Sequence, residues 1–330
     1  MISKSIAHLE QYNKRLVDIK GYNEFVHKKV SNALKNGEFG GKDMKSAMLE
    51  GFLIFTHFDT IEGIVAKEVL KNKGINFGGI YDELDDDTRR QCLDLYSVCH
   101  MIGDWLEYKQ IYKFDVDTLE MLSGTNQEIT NEVLEGLSLP YSVFFIENEF
   151  DLGGKCDSVL IKVSKSEKGR EFGFYIFYED EQERFKHEMK LYRTYQGEFD
   201  EQMQDCEESA KAFYQLMFNL LMYLAQPKVE ILKKSSGIKE RKNNKSFYNI
   251  TYDENEVGYK LGNAIRNYRV RYLSESTNHK TGGVKKPHLR CGHFHHYWTG
   301  KGRTDLVVKY VEPTFIKGGS KVATIHKVKN

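Results

Sequence analysis

Proline is scarce in this chain, at four in 330 residues, and no long Ser/Gly/Pro tract occurs. Extensive disorder is therefore not expected. Long apolar runs are also missing. The longest apolar stretch, residues 213–225, is interrupted by Gln215 and Asn219. Nothing approaches the roughly 18–20 apolar residues of a membrane-spanning helix. The start, Met1-Ile2-Ser3-Lys4-Ser5, leads into a charged amphipathic stretch and not an apolar signal core. Five cysteines, Cys92, Cys99, Cys156, Cys206 and Cys291, are scattered and form no CxxC pair. That pattern argues against a disulfide framework or a zinc ribbon and fits reduced thiols in a cytoplasm. Overall charge is absent as well, because 48 Lys+Arg balance 48 Asp+Glu. What the chain has is 40% hydrophobic residues, with 20 Tyr and 20 Phe. This is enough to bury a sizeable core, and the length fits about two or three domains.

The neutral total hides a split. Residues 226–330 hold 22 of the 48 Lys+Arg and 8 of the 48 Asp+Glu, a net +14, so the remainder carries −14. A basic module that faces a polyanion, joined to an acidic body, gives this asymmetry. A folded protein whose halves attract one another gives it equally.

Periodicity divides the chain into three stretches. Residues 1–137 are expected to be a helical N-terminal region. Ile6, Leu9, Tyr12, Leu16, Ile19 and Phe25 recur at three- and four-residue spacing, a second helical run covers Met44–Lys73, and a third follows Asp85-Asp86-Asp87 through Leu93, Tyr96, Ile102 and Leu106. Cys92, Cys99 and His100 read as packing groups on that third helix. Residues 138–226 are expected to form an antiparallel sheet of short strands, Tyr141–Glu147, Ser158–Val163, Phe172–Tyr178 and Met189–Tyr195, followed by a long helix over Glu201–Gln226 that Pro227 ends. Residues 227–330 are the basic C-terminal region. In it Lys233–Lys245 reads as a polar loop, Val257–Tyr268 as a helix, and His288–Thr299 with Asp305–Val311 as a β-hairpin turning through Gly300 and Gly302. The fold class is α+β: a helical N-terminal region, a central antiparallel sheet backed by helices, and a basic C-terminal region with a β-hairpin.

The densest chemistry lies in Lys285-Lys286-Pro287-His288-Leu289-Arg290-Cys291-Gly292-His293-Phe294-His295-His296-Tyr297-Trp298, where four histidines fall within nine residues. Imidazole exchanges protons, binds metals and contacts phosphate near neutral pH. In a strand, alternate residues share a face, which puts His293, His295 and Tyr297 on one side and Phe294, His296 and Trp298 on the other. His293 and His295 are then about 6.5–7 Å apart at Cα. They could flank one phosphate as an acid–base pair for metal-independent RNA cleavage, with Lys286 or Arg290 stabilising developing charge. The plainer alternative is a strand whose histidines hydrogen-bond to neighbours or to phosphate without catalysis. A metal site is weaker, since His293, His295 and Cys291 would need a bent strand to reach one ion. No metal and no cofactor is expected. Lys285, Lys286, His288, Arg290, Tyr297 and Trp298 are the candidate RNA- or partner-binding residues, and Tyr297, Trp298 and Phe294 could stack on bases or pack a core.

The run Lys286-Pro287-His288-Leu289-Arg290-x-Gly292-His293-Phe294-His295-x-Tyr297-Trp298-x-Gly300-x-Gly302 resembles the C-terminal signature of the type V-A anti-CRISPR family AcrVA2. Upstream, Gly258-Tyr259-Lys260-Leu261-Gly262 is similar to that family's Gly-x-x-Leu-Gly segment. Downstream, Val307, Lys309, Tyr310, Pro313 and Phe315 resemble its closing strand. The likeness runs over residues 257–316. It implies a phage or mobile-element protein acting in the cytoplasm of a host bacterial cell. Such a protein recognises the nascent polypeptide of a CRISPR effector and lowers its mRNA during translation. The implied partners are that nascent polypeptide and the mRNA or ribosome, with no membrane. Two alternatives stay open: an endoribonuclease using His293 and His295, and a non-enzymatic RNA- or ribosome-binding module.

Overall fold

The computed structural model describes residues 3–9, 31, 35, 36, 104, 105, 107–125, 128–151, 155–178, 187–236, 252–270, 288–290, 292–303 and 305–316. The helices expected over Met44–Lys73 and from Asp85 towards Leu106 lie almost wholly outside these residues, as does most of the first helix. Of that first helix, residues 4–9 are described and helical.

The described chain begins its sheet with β1 (Gln110–Phe114), then α1 (Val116–Ser123), α2 (Asn131–Gly136), β2 (Val143–Ile146) and the short β3 (Phe150–Asp151). A long hairpin of β4 (Lys155–Ser166) and β5 (Gly169–Tyr178) follows, then β6 (His187–Arg193), α3 (Phe199–Gln202) and α4 (Glu208–Leu224). Next come β7 (Ile231–Ser236), β8 (Tyr252–Val257) and α5 (Tyr259–Tyr268). The last described elements are β9 (His288–Arg290), β10 (His293–Thr299), β11 (Asp305–Val311) and β12 (Thr314–Ile316). The α+β class stands. The main sheet has eight strands in the order β6-β5-β4-β2-β1-β8-β7, with β3 paired to β4. It draws strands from all three stretches of sequence.

Three expectations need correction. The sheet is mixed and not antiparallel throughout: β1 pairs parallel with both β2 and β8, while β4, β5, β6 and β7 pair antiparallel with their neighbours. The reason is connection length. Parallel neighbours need a crossover, and α1 with α2 supplies one between β1 and β2. Second, Ile231–Ser236 is a strand, although its lysines read as a loop. Lys233 pairs with Asp253 at 2.7 Å and Lys234 with Glu256, both across the β7–β8 ladder. Third, the long helix is two. α3 ends at Gln202 and α4 begins at Glu208, and between them Gln204-Asp205-Cys206-Glu207 is exposed and offers the core no side chain to hold it in a helix.

Both faces of the sheet centre are covered, and this explains why Val143-Phe144-Phe145-Ile146 is apolar at every position. On one face α4 lays Phe213 and Phe218 on the sheet. Phe218 meets Phe172 edge-to-face at 5.3 Å and Tyr192 at 5.0 Å, and Phe213 meets Phe174 at 5.6 Å. Such pairs contribute about 0.5–1.5 kcal/mol each beyond their buried area. Asn219, buried in the same helix, donates to the carbonyls of Leu122 (2.9 Å) and Thr125 (2.8 Å) and so closes the end of α1. On the other face Trp105 packs edge-on to Phe145 at 5.4 Å, and residues 4–9 bury Ile6 and Leu9. No helix among the described residues is long and apolar enough to cross a membrane.

The N-terminal segment is held by buried carboxylates. Glu147 accepts from the Ser3 hydroxyl and from the Ser5 amide at 3.0 Å, and Lys113 lies 2.9 Å away. His8 Nε2 stands 2.5 Å from Asp157 Oδ1. Burial pushes the Glu147 carboxyl up, but the Ser3, Lys113 and Ser5 hydrogen bonds outweigh it and hold the group below its ordinary value of 4.5. A lowered folded-state value stabilises the fold above the unfolded value, and this is lost as pH falls through the folded one. Melting temperature is therefore expected to drop on acidification below about pH 4.5, and to drop less steeply in Glu147→Gln. Parallel pH profiles for the two proteins would remove Glu147 from the cause.

Candidate functional site

The histidine segment divides at Gly292. His288-Leu289-Arg290 is β9, which pairs with β12 (His288 opposite Ile316, Arg290 opposite Thr314). His293–Thr299 is β10, which pairs with β11 as a separate two-stranded ribbon. The single strand expected over His288–Thr299 is thus corrected to two strands in two sheets. The cause is a close approach at the break. The Tyr310 hydroxyl fills the space a Cβ at residue 292 would take, and the Gly292 carbonyl accepts from Thr125 at 3.3 Å.

Within β10 the alternation follows the expected sides. Phe294 points inward, 4% exposed, and meets the Tyr310 ring at 5.1 Å. Tyr310 in turn stands edge-on to Tyr223 of α4 at 5.2 Å. Gln226, just past α4, clamps the ribbon: its Oε1 accepts from the Tyr310 amide at 3.0 Å and its Nε2 donates to the Val308 carbonyl at 3.3 Å. The ribbon therefore has a fixed root on the core.

His293, His295 and Tyr297 point outward and are exposed. The His295 and Tyr297 rings stack at 4.4 Å and 26°. His295 Nδ1 lies 3.0 Å from the His296 carbonyl. A carbonyl only accepts, so that nitrogen carries the hydrogen and the neutral ring keeps Nε2 as an acceptor. Lys309 sits directly across the ribbon from His295 and its Nζ lies 5.5 Å from the centre of the Tyr297 ring, within cation–π range. The outer face thus gathers two imidazoles, a phenol and an ammonium. Lys309 was missed as a site residue from sequence. Counting register outward from the Gly300–Gly302 turn would have placed it opposite His295.

Not every expected residue joins this face. His288 and Arg290 are exposed on β9, in the other small sheet. Trp298 lies near the ribbon tip, opposite Leu306 and 51% exposed. Lys285, Lys286 and Cys291 lie outside the described residues. Among the described residues, no three His, Cys, Asp or Glu side chains are grouped to hold a metal ion.

The upstream glycine segment has a scaffold role. Gly258, with φ +71°, turns the chain from β8 into α5, and its carbonyl accepts from Thr118 at 2.7 Å. One turn on, Gly262 packs against the Asp115 carboxylate with no room for a Cβ. That carboxylate caps α1 through the amides of Asp117 and Thr118 and takes a two-pronged contact from Arg266 at 3.0 and 2.9 Å. Arg266 also reaches Asp117 at 2.5 Å, and Arg269 reaches Asp117 at 2.5 Å and Glu120 at 3.0 Å. At the far end of α5, the Tyr268 hydroxyl donates to the Ile316 carbonyl at 2.6 Å, which fixes β12 and hence β9 with His288 and Arg290. Part of the charge split is thus internal complementarity. Arg266 of α5 and Arg269 just after it meet acids of the body, and Lys301, Arg303 and Lys309 of the ribbon are exposed.

Known proteins place this architecture. Residues 112–318 match the family described as AcrVA2-like, anti-CRISPR type V subtype A2. That span contains the whole signature and continues upstream through the sheet. The crystal structure of AcrVA2 is similar, with a TM-score of 0.55 at 15% identity, covering 96% of this chain and 100% of that chain. At that identity the likeness is one of fold. A search of curated proteins finds no match. A family match over well more than half of the residues decides membership: this chain belongs to the anti-CRISPR type V subtype A2 family.

Proposed function

We propose that this protein is a phage or mobile-element anti-CRISPR that works in the cytoplasm of a host bacterium, where it recognises a nascent polypeptide, of a CRISPR effector, and promotes loss of its mRNA during translation. Family membership carries this reading. It is supported by a rigidly rooted ribbon whose outer face holds His293, His295, Tyr297 and Lys309, within a region of net +14. Such a face suits contact with mRNA or ribosome. In this reading Lys285, Lys286, His288, Arg290, Tyr297 and Trp298 contribute to RNA or partner contact.

A second reading has one observation in its favour. His293 and His295 share an exposed face with Lys309, and His295 keeps Nε2 as an acceptor, as a general base requires. The protein would then cleave RNA itself, without metal. One experiment divides the two. The protein is recovered from translating cells, the associated nascent chains and mRNAs are identified, and purified protein is incubated with the enriched transcript. The expected result is a defined nascent chain with its own mRNA, and no cleavage by the pure protein, because a host nuclease completes the loss. Recovery of no nascent chain would remove the proposal. Cleavage in chelator, with a bell-shaped pH profile, would make the protein a ribonuclease.

A further inference from the structure

We infer that the tip of the β10–β11 ribbon is a binding site for single-stranded RNA, with Trp298 stacking on an unpaired base and Lys301 and Arg303 holding the neighbouring phosphates. This rests on the RNA-facing reading above and narrows it to one form of nucleic acid and one element. Trp298 lies beyond the last position of β10 that packs on the core. It is 51% exposed beside Tyr297 at 40%. Tyr297 is engaged by His295 and Lys309, whereas the Trp298 ring stands half in water on the opposite face and gives the ribbon an aromatic tip, where burial would have stabilised it.

The surroundings indicate what meets that ring. Residues 293–311 contain three cations, Lys301, Arg303 and Lys309, and one carboxylate, Asp305. The turn holds Gly300, Gly302 and Arg303 at positive φ, and Lys301 and Arg303 are exposed on it. The partner is thus anionic and offers flat apolar surfaces. Single-stranded RNA has both, because each unpaired base shows a π-face next to a phosphate. Duplexes hide those faces. A ribbon can enter the major groove of DNA, and Lys301 and Arg303 could meet guanine edges there, but the stacked bases would offer Trp298 no open face. An acidic peptide supplies charge without rings.

Full-length protein is titrated with labelled oligouridylate, and with duplex RNA, duplex DNA and poly-glutamate as competitors. Of the two tryptophans Trp105 is buried, so quenching of emission that disappears in Trp298→Phe reports on the tip. Oligouridylate is expected to bind and quench, and neither duplex nor poly-glutamate to displace it at equal charge. Trp298→Ala should weaken binding about tenfold. Lys301→Gln with Arg303→Gln should flatten the slope of log affinity against log salt by about 0.7 per cation removed. Melting, expected to be unchanged for these exposed positions, separates loss of contact from loss of fold. Equal binding of duplex or poly-glutamate, or a folded Trp298→Ala variant that binds as the parent does, would overturn the inference. Oligouridylate binding that holds while no mRNA loss occurs in cells would remove the functional reading and leave the ribbon's chemistry standing.

Discussion

Gly262→Ala is expected to destabilise the protein by about 3 kcal/mol or more. The methyl would intrude on the Asp115 carboxylate. Asp115 cannot retreat without giving up its hydrogen bonds to the α1 amides and its two-pronged contact with Arg266. Either the helices part or the cap is lost, and both also disturb Tyr268 and the strand it fixes. Gly136→Ala is the control. Gly136 ends α2 with no heavy atom within 4 Å of a new Cβ, so alanine there should be neutral or stabilise by up to about 1 kcal/mol. Thermal or denaturant unfolding of the two variants beside the parent checks the contrast. Equal melting of both would show that α5 does not depend on this close approach.

Alanine at His293 or His295 is expected to cut loss of the target mRNA in cells at least about tenfold, as loss of a direct nucleic-acid contact of about 1–3 kcal/mol would. Both are exposed, so stability should move by less than about 0.5 kcal/mol. Lys309→Ala should behave alike, because it stands on the same face opposite His295. Phe294→Ala gives the opposite signature. Its ring lies between Tyr310 and the core, and its loss should cost about 3–5 kcal/mol, with activity falling because the ribbon loosens. Reporter-mRNA decay measured beside melting temperature separates the classes. Outer-face variants that unfold would assign these histidines to structure, and folded variants that support mRNA loss as the parent does would return them to an ordinary surface.

How much of this was legible in sequence depended on whether the cause was local. The α4 helix was readable from the spacing of Phe213, Leu216, Leu220 and Leu221, and β4 and β5 from their runs of β-branched and aromatic residues. The outward set His293, His295 and Tyr297 followed from strand alternation alone. β8 was not readable. Tyr-Asp-Glu-Asn-Glu-Val carries four polar residues in six and makes a strand because each finds a partner elsewhere. Asp253 meets Gln110 and Lys233, Glu254 meets Lys113, Asn255 meets Gln110 and the Ile111 carbonyl, and Glu256 meets Lys234. β7 was hidden for the same reason. β1 was masked by the helical stretch before it, and Lys309 needed the register of the ribbon. For β8 and β1 the missing information lay in partners more than a hundred residues away, whereas for Lys309 it lay within one hairpin.

The parallel seam between β1 and β8 also sets an order of assembly. Ile111 lies against Glu254 and Phe114 against Val257, so β1, an interior strand, finds one of its two neighbours only when that later segment has been made. Segment 3–9 similarly waits for Glu147 and Asp157. Contacts of such long separation close slowly, because the intervening chain must first be brought together. On a ribosome the first half of this protein therefore emerges with an open sheet edge at β1. Such an edge is a template for pairing with other chains. A product truncated before Tyr252 keeps that liability for good, and full-length synthesis is what removes it.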